Sequence, residues 1–259
     1  MIRAIMTDTP ENTAAPAPVE ACPRCGKRPP LCICEGIEPM KNRIELLILQ
    51  YPQEKTEPLG TARLAALHLE KAQVKIGLSW PSLGKILDRP VDPAKWAVLY
   101  LGSADMAQMP EGREVVSVDA KSQPLPDQKS ALAGIEGVIL LDGSWSQAKT
   151  LWWRNAWVLK CRRLILNPEA PSAYGRLRKE PRKEALSTLE SAALLLSRLE
   201  KNPGLEAPMR ASFDKLLAAW KGNQPKKDWR RRPGRPGGKP AAGKPGAPKA
   251  SRPKGWSPA

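Results

Sequence analysis

The sequence predicts an α/β fold, a largely parallel sheet with helices on both faces. Three observations lead there. Short aliphatic runs without a helical period alternate with segments of helical period. Turn-forming residues punctuate the boundaries. The length, 259 residues with 41% hydrophobic composition, suffices for one substantial α/β domain plus appendages.

Residues 44–50 (IELLILQ) form the first strand candidate, a buried aliphatic run. Residues 59–73 follow as a helix, with Leu59, Ala62, Ala66 and Leu69 on one face. Residues 74–78, 96–101 and 115–118 read as further strands. Residues 138–141 form a strand that ends sharply at Asp142-Gly143. Ser144 is placed to cap the helix that runs to about Asn155. Residues 163–166 make another strand, stopped by Asn167-Pro168. Helices are expected over 183–200 and 207–220. There is no internal repeat.

Both ends differ in composition from this body. Residues 1–20 are rich in Ala, Pro, Thr and Glu and read as disordered. Residues 221–259 hold twelve Lys or Arg and one acid, Asp228, a charge of +11 out of the formal +16. They are rich in Pro and Gly, show no hydrophobic period, and are expected to be disordered. A modestly basic body with a strongly basic tail suits a polyanionic partner, most simply a nucleic acid. A solubilising tail is the other reading. No run of eighteen apolar residues is present, which argues against a membrane-spanning helix. Residues 1–20 lack the apolar stretch of a signal peptide. A cytosolic protein with reduced thiols is expected.

Four of the five cysteines lie within thirteen residues. Cys22 and Cys25 form C-x₂-C, and after six residues Cys32 and Cys34 form C-x-C. Four thiolates at this spacing can close a tetrahedral zinc site. A closed four-sulfur site makes the metal structural. Free thiols in a loop are the alternative. Arg24, Lys27 and Arg28 put positive charge in the same segment. Cys161 stands alone beside a strand, as a small buried residue does.

The chemically richest stretch is residues 139–145 (ILLDGSW). In open α/β sheets, ligands sit beyond the carboxyl ends of strands, and Asp142 is at such an end. Gly143 permits close approach, and Ser144 opens a helix N-terminus whose amides point outward. Trp145 either stacks on a base or packs beneath the loop. The competing reading makes Asp142 a simple helix cap. Glu190 sits among Leu186, Leu189, Ala193 and Leu196 on one helical face, where an ionised carboxylate needs a partner. That partner is either a ligand cation or hydroxyl, or a structural arginine such as Arg176 or Arg178. Arg176, Arg178, Lys179, Arg182 and Lys183 form a basic run suited to phosphate, or to a solvated loop. Thr61 and Arg63 lie near a helix start after the first strand. Trp152, Trp153 and Trp157 read as core and amphipathic-face residues. His68, the single histidine, lies within a helix, outside every motif, which argues against a histidine-based triad.

Several of these segments together resemble the DTW-domain family. Asp142-Gly143-Ser144-Trp145 is similar to its D-x-T-W signature, with Ser144 for Thr. Tyr51-Pro52-Gln53-Glu54 is similar to H-P-x-E, and Thr61-Ala62-Arg63-Leu64 to part of N-T-G-R-L. Tyr174 to Pro181 and Leu186-Ser187-Thr188-Leu189-Glu190 resemble Y-x-x-R-K-x-P and L-S-T-L-E-A. The cysteine cluster precedes the first strand as in that family. The likeness covers residues 22–200. It implies a SPOUT-like fold and a tRNA-uridine aminocarboxypropyltransferase. Such an enzyme uses S-adenosylmethionine as co-substrate, modifies N3 of a uridine in the tRNA variable loop, and releases methylthioadenosine. By that resemblance Asp142 is the catalytic carboxylate. Gly143, Ser144, Trp145, Thr188 and Glu190 bind the donor, and the basic run from Arg176 to Lys183 binds RNA. No obligate protein partner is implied. Two competing functions are a SPOUT-type RNA methyltransferase and a non-catalytic zinc-containing RNA-binding protein.

Overall fold

The run Leu46-Leu47-Ile48-Leu49 is apolar at every position because both of its faces are covered, and all four side chains are 0% exposed. It forms the centre of β1 (Glu45–Gln50) in a computed structural model that describes residues 20–99, 108–175, 177 and 185–224. The chain continues through α1 (Ala62–Leu67), β2 (Ala72–Ile76), α2 (Leu83–Leu87), β3 (Trp96–Leu99) and β4 (Val115–Val118). It then forms α3 (Gln128–Leu132), β5 (Gly137–Asp142), α4 (Trp145–Arg154), β6 (Arg162–Leu166), α5 (Thr188–Glu200) and α6 (Glu206–Gly222). Short 3-10 turns join several of them.

The six strands make one sheet in the order β2-β1-β5-β3-β6-β4. All pairings are parallel except that of β4 with β6, at the edge. Alternate side chains feed two cores. Leu46, Ile48, Val138 and Leu140 pack with α1, α5 and α6. Leu47, Leu49, Val98 and Ile139 pack with α2, α4 and the buried Trp96 and Trp157. Helices on both faces of a largely parallel sheet are as expected. Cys25, Cys34 and Ile37 belong to the first of these cores, so the cysteine segment packs into the main body.

The topology places the site. From β1 the chain crosses by α1 to β2 on one side; from β5 it crosses by α4 to β6 on the other. The connections diverge between β1 and β5, which leaves a crevice at their carboxyl ends. Gln50 and Asp142 are paired in register there, as the last residues of the two strands.

Three expectations are corrected. The helix expected over 59–73 spans only Ala62–Leu67. Its continuation is lost because Met40 and Glu70 exchange backbone hydrogen bonds with His68 and Met40, and Ala72 to Ile76 pair with β1. The following strand is therefore Ala72–Ile76 and not 74–78. The helix expected from 183 begins at Thr188, since Ser187 has extended backbone and caps it; 183 and 184 lie outside the described residues. The short helices α2 and α3 had no sequence expectation, each spanning five residues. The expected disorder of residues 1–20 and 221–259 falls, apart from Glu20 and 221–224, outside the described residues.

Candidate active site

Asp142 is 6% exposed, and its two carboxylate oxygens are held from opposite sides. Gln50 donates from Nε2 to Oδ2 at 2.8 Å, and Thr188 donates its hydroxyl to Oδ1. The Asp142 carbonyl accepts from the Tyr51 amide at 2.9 Å. Each carboxylate oxygen keeps a lone pair beyond these bonds. Three elements thus converge on one acid: β5 carries it, β1 supplies Gln50 and the N-terminus of α5 supplies Thr188. The competing cap reading does not describe it, because Ser144 caps α4 instead.

Two capping boxes flank this acid. At α4, Ser144 accepts from the Gln147 amide, and Gln147 Oε1 accepts from the Ser144 amide at 2.6 Å. Gln147 also donates to Gln53 at 3.0 Å. A Cβ on Gly143 would stand 2.9 Å from Gln147 Cβ and 3.3 Å from Tyr51 Cβ, so glycine is needed for this close approach. At α5, Glu190 Oε2 accepts from the Ser187 amide at 2.8 Å and the Ser172 hydroxyl at 2.6 Å, while Oε1 accepts from the Ala173 amide at 2.8 Å. The buried Glu190 is therefore satisfied by loop and cap donors; neither expected arginine, Arg176 or Arg178, lies among the described residues. Thr61 is also turned inward, its hydroxyl accepting from the Leu189 amide at 3.2 Å. Tyr174 anchors the loop by donating to the Leu59 carbonyl at 2.6 Å.

Next to Gln50 opens a small polar cleft between the cysteine segment and the β1–α1 connection. Lys27, Gln50, Glu54, Glu57, Gly60 and Arg63 are among its lining residues. Lys27 is 7% exposed and donates to the Pro58 carbonyl at 2.7 Å. Burial pushes its ammonium down to about 8, against the opposing charges of Cys25, Glu57 and Asp142. Gln50 must present Nε2 to Asp142, which only accepts, so Oε1 is turned away from it. That Oε1 is buried and has no hydrogen-bond partner.

The four clustered cysteines come together. Their sulfurs all lie within 4.8 Å of one another, with Cys22–Cys34 at 3.5 Å and Cys25–Cys32 and Cys32–Cys34 at 3.6 Å. Four sulfurs about 2.3 Å from one zinc ion would be about 3.8 Å apart, so the cluster fits a tetrahedral ion. Hydrogen bonds from the Cys25 and Arg24 amides lower the Cys22 thiol to about 6, whereas burial raises those of Cys25 and Cys34. Arg24 braces the segment by donating to the Cys34 and Ile37 carbonyls. The Arg63 guanidinium comes close to Gly26: a Cβ there would be 2.8 Å from Nη1. The metal segment and the cleft are thus built together.

Other expected residues divide. Arg176, Arg178, Lys179, Arg182 and Lys183 lie outside the described residues. Trp145 is half-buried, with Lys149 Nζ 5.9 Å from its ring centroid. Trp157 is buried, but Trp153 is 78% exposed and departs from the core expectation. Cys161 is buried, and its thiol is raised to about 12 by that burial. His68 is buried against Ser212 at 2.9 Å, with burial lowering its pKa, and stands apart from the site. Gln50, Lys27 and Glu54 went unnoticed as site residues in the sequence. Only the last had a local signal, the Y-P-Q-E segment.

A buried strand-end acid beside a four-cysteine cluster lies at the switch point of a mixed α/β sheet, the place where open α/β sheets hold their ligands. The chain belongs to the DTW domain family, whose model matches residues 19–221. It is 30% identical over 190 residues to tRNA-uridine aminocarboxypropyltransferase 2 of Macaca fascicularis, covering 70% of this chain and 57% of that one. It is 31% identical over 185 residues to the Mus musculus protein of the same name, with the same coverages. The Drosophila melanogaster protein of that name is 29% identical over 194 residues, covering 71% and 68%. The chain thus spans little more than half the length of the two mammalian relatives. No solved structure matches it. No helix among the described residues is long and apolar enough to cross a membrane.

Proposed function

We propose that this chain transfers the 3-amino-3-carboxypropyl group of S-adenosylmethionine to N3 of a uridine in the variable loop of tRNA. One observation carries the reading: a buried carboxylate at the β1/β5 switch point, gripped through both oxygens by two other elements, in a chain of the DTW domain family. The donor supplies a sulfonium-activated carbon, so the N3–carbon bond forms as the carbon–sulfur bond breaks and methylthioadenosine leaves. Asp142 accepts the N3 proton or a hydrogen bond from it, an effect worth about 10²–10⁴-fold. Gln50 and Thr188 fix the orientation of that carboxylate before the ligands arrive.

The donor-binding set is Gly143, Ser144, Trp145, Thr188 and Glu190. The first two bring the amides at the start of α4, Trp145 offers a ring face, and Glu190 acts through the 172–173 loop that it holds. Zn²⁺ bound by Cys22, Cys25, Cys32 and Cys34 fixes the cysteine segment and performs no chemistry. Arg176, Arg178, Lys179, Arg182 and Lys183 follow RNA phosphates. Along α4, Trp145, Lys149 and Trp153 recur every four residues and offer a further surface for RNA. Residues 221–259 add affinity without sequence choice. The same reading assigns residues 21–40 to metal binding and 41–220 to a SPOUT-like catalytic domain, in a protein of the cytosol.

The test is incubation of the purified chain with S-adenosylmethionine and unmodified tRNA, followed by mass spectrometry of nucleosides and small products. Methylthioadenosine together with aminocarboxypropyl-uridine is expected. S-adenosylhomocysteine with a methylated nucleoside would instead identify a methyltransferase. RNA binding without any donor affinity would leave a non-catalytic zinc protein.

A further inference from the structure

The α4 helix carries an open aromatic ring. Trp153 is 78% exposed, and among the described residues no cation or second ring covers it. The tryptophans around it differ. Trp152 is half-buried, packs against the core and lies under the Arg163 guanidinium, 5.8 Å from its ring centroid. Trp157 is buried and donates to the Trp80 carbonyl at 3.0 Å. Tryptophan is buried for most of its surface in folded proteins, so an uncovered ring on a regular helix calls for an occupant.

The surroundings say which. Ser146, Lys149, Thr150 and Trp153 share the outer face of α4, at i, i+3, i+4 and i+7. Residues 143–168 hold five Lys or Arg and no acid. Arg162 is tied to the carbonyls of Ala94, Ala131 and Ala133. Lys149, Arg154 and Lys160 are exposed. The other exposed large apolar side chains among the described residues, Ile76 and Leu159, are not on α4. A protein-docking face needs a wider apolar patch than one ring. One flat ring framed by cations suits a base stacked between phosphates. A paired base is held within its own stack, so the RNA that fits is unpaired.

We propose that Trp153 is the stacking platform for an unpaired base of the RNA substrate, with Lys149 and Arg154 on the flanking phosphates. This rests on the tRNA reading above and deepens it. Asp142 ends β5 and α4 starts at Trp145, so the helix leads away from the strand-end acid. Trp153 lies eight residues beyond Trp145, about 12 Å along the helix axis. The stacked base is therefore a neighbour of the target uridine in the same unpaired segment, and Trp145 is left for the donor. Two contacts at that separation fix the direction in which the strand crosses the site. They favour a uridine whose neighbours are unpaired over one within a duplex.

The test is fluorescence anisotropy of a labelled single-stranded RNA, and of the same strand in a duplex, over a range of salt concentrations. Both are titrated with the full chain and its Trp153→Ala, Trp153→Phe and Lys149→Gln variants. Trp153→Ala should weaken single-strand binding about 5- to 150-fold, the worth of one stacked base, and leave duplex binding unchanged. Trp153→Phe should recover most of the loss. Lys149→Gln should lower the salt slope for the single strand by about 0.7, as one phosphate contact is lost. Thermal unfolding midpoints should be equal, because both positions are exposed. Undiminished single-strand binding by Trp153→Ala would overturn the proposal while the tRNA reading stands, and so would equal weakening of strand and duplex. Self-association that Trp153→Ala abolishes, with RNA affinity kept, would assign the ring to a protein contact instead. An unaltered chain that binds neither RNA would remove the tRNA reading as well.

Discussion

The two helices that start beside Asp142 use the same device in opposite surroundings. Ser144-x-x-Gln147 and Ser187-x-x-Glu190 are both capping boxes. The first is exposed and closed by a neutral amide. The second is buried, with Ser187 4% and Glu190 2% exposed, and its carboxylate takes two further donors from residues 172–173. One sequence pattern thus serves two ends. The α5 box is a structural clasp that fixes Thr188 against Asp142. The α4 box caps lightly, at the surface, and ties α4 to Gln53.

Substitutions that sharpen or break this contrast differ widely in size. Glu190→Ala leaves the buried Ser187 amide without an acceptor and releases the Ser172 hydroxyl and Ala173 amide, and should destabilise the fold by about 2–4 kcal/mol in denaturant unfolding. Thr188→Val removes one bond to Asp142 and replaces the hydroxyl by a methyl of similar volume. It should cost about 1–2 kcal/mol of stability and lower kcat more than it raises the KM for donor. Gln147→Ala removes the weaker half of an exposed cap, with a thermal unfolding shift equivalent to about 0.5–1 kcal/mol. Equal costs for Glu190→Ala and Gln147→Ala would abolish the distinction between clasp and cap.

What the sequence shows, and what it hides, follows the same line between local and non-local causes. β4 was legible to the residue, and β5 and β6 within one, because buried strands are aliphatic runs ended by turn residues. Asp142 stood out for the same reason: an acid at the end of such a run. Gln50 did not, because its importance depends on β1 lying beside β5, a pairing between residues 92 apart in the chain. The antiparallel direction of the edge strand β4 was equally invisible, since direction is set by the crossovers. Helical spacing from Leu59 to Leu69 was real but lost to pairing with Met40 and with β1. Glu190 was recognised as a buried acid needing partners. That those partners are a loop amide, a cap amide and a hydroxyl is a fact of folding that spacing does not contain.

In the proposed reaction Asp142 handles the acceptor proton from a fixed position that Gln50 and Thr188 impose. Asp142→Asn, compared with the unaltered chain in single-turnover transfer to tRNA and in calorimetric donor binding, tests it most directly. A loss of about 10²–10⁴-fold in the rate of transfer is expected, with donor affinity little changed. Transfer at near the original rate by the Asn variant would contradict it.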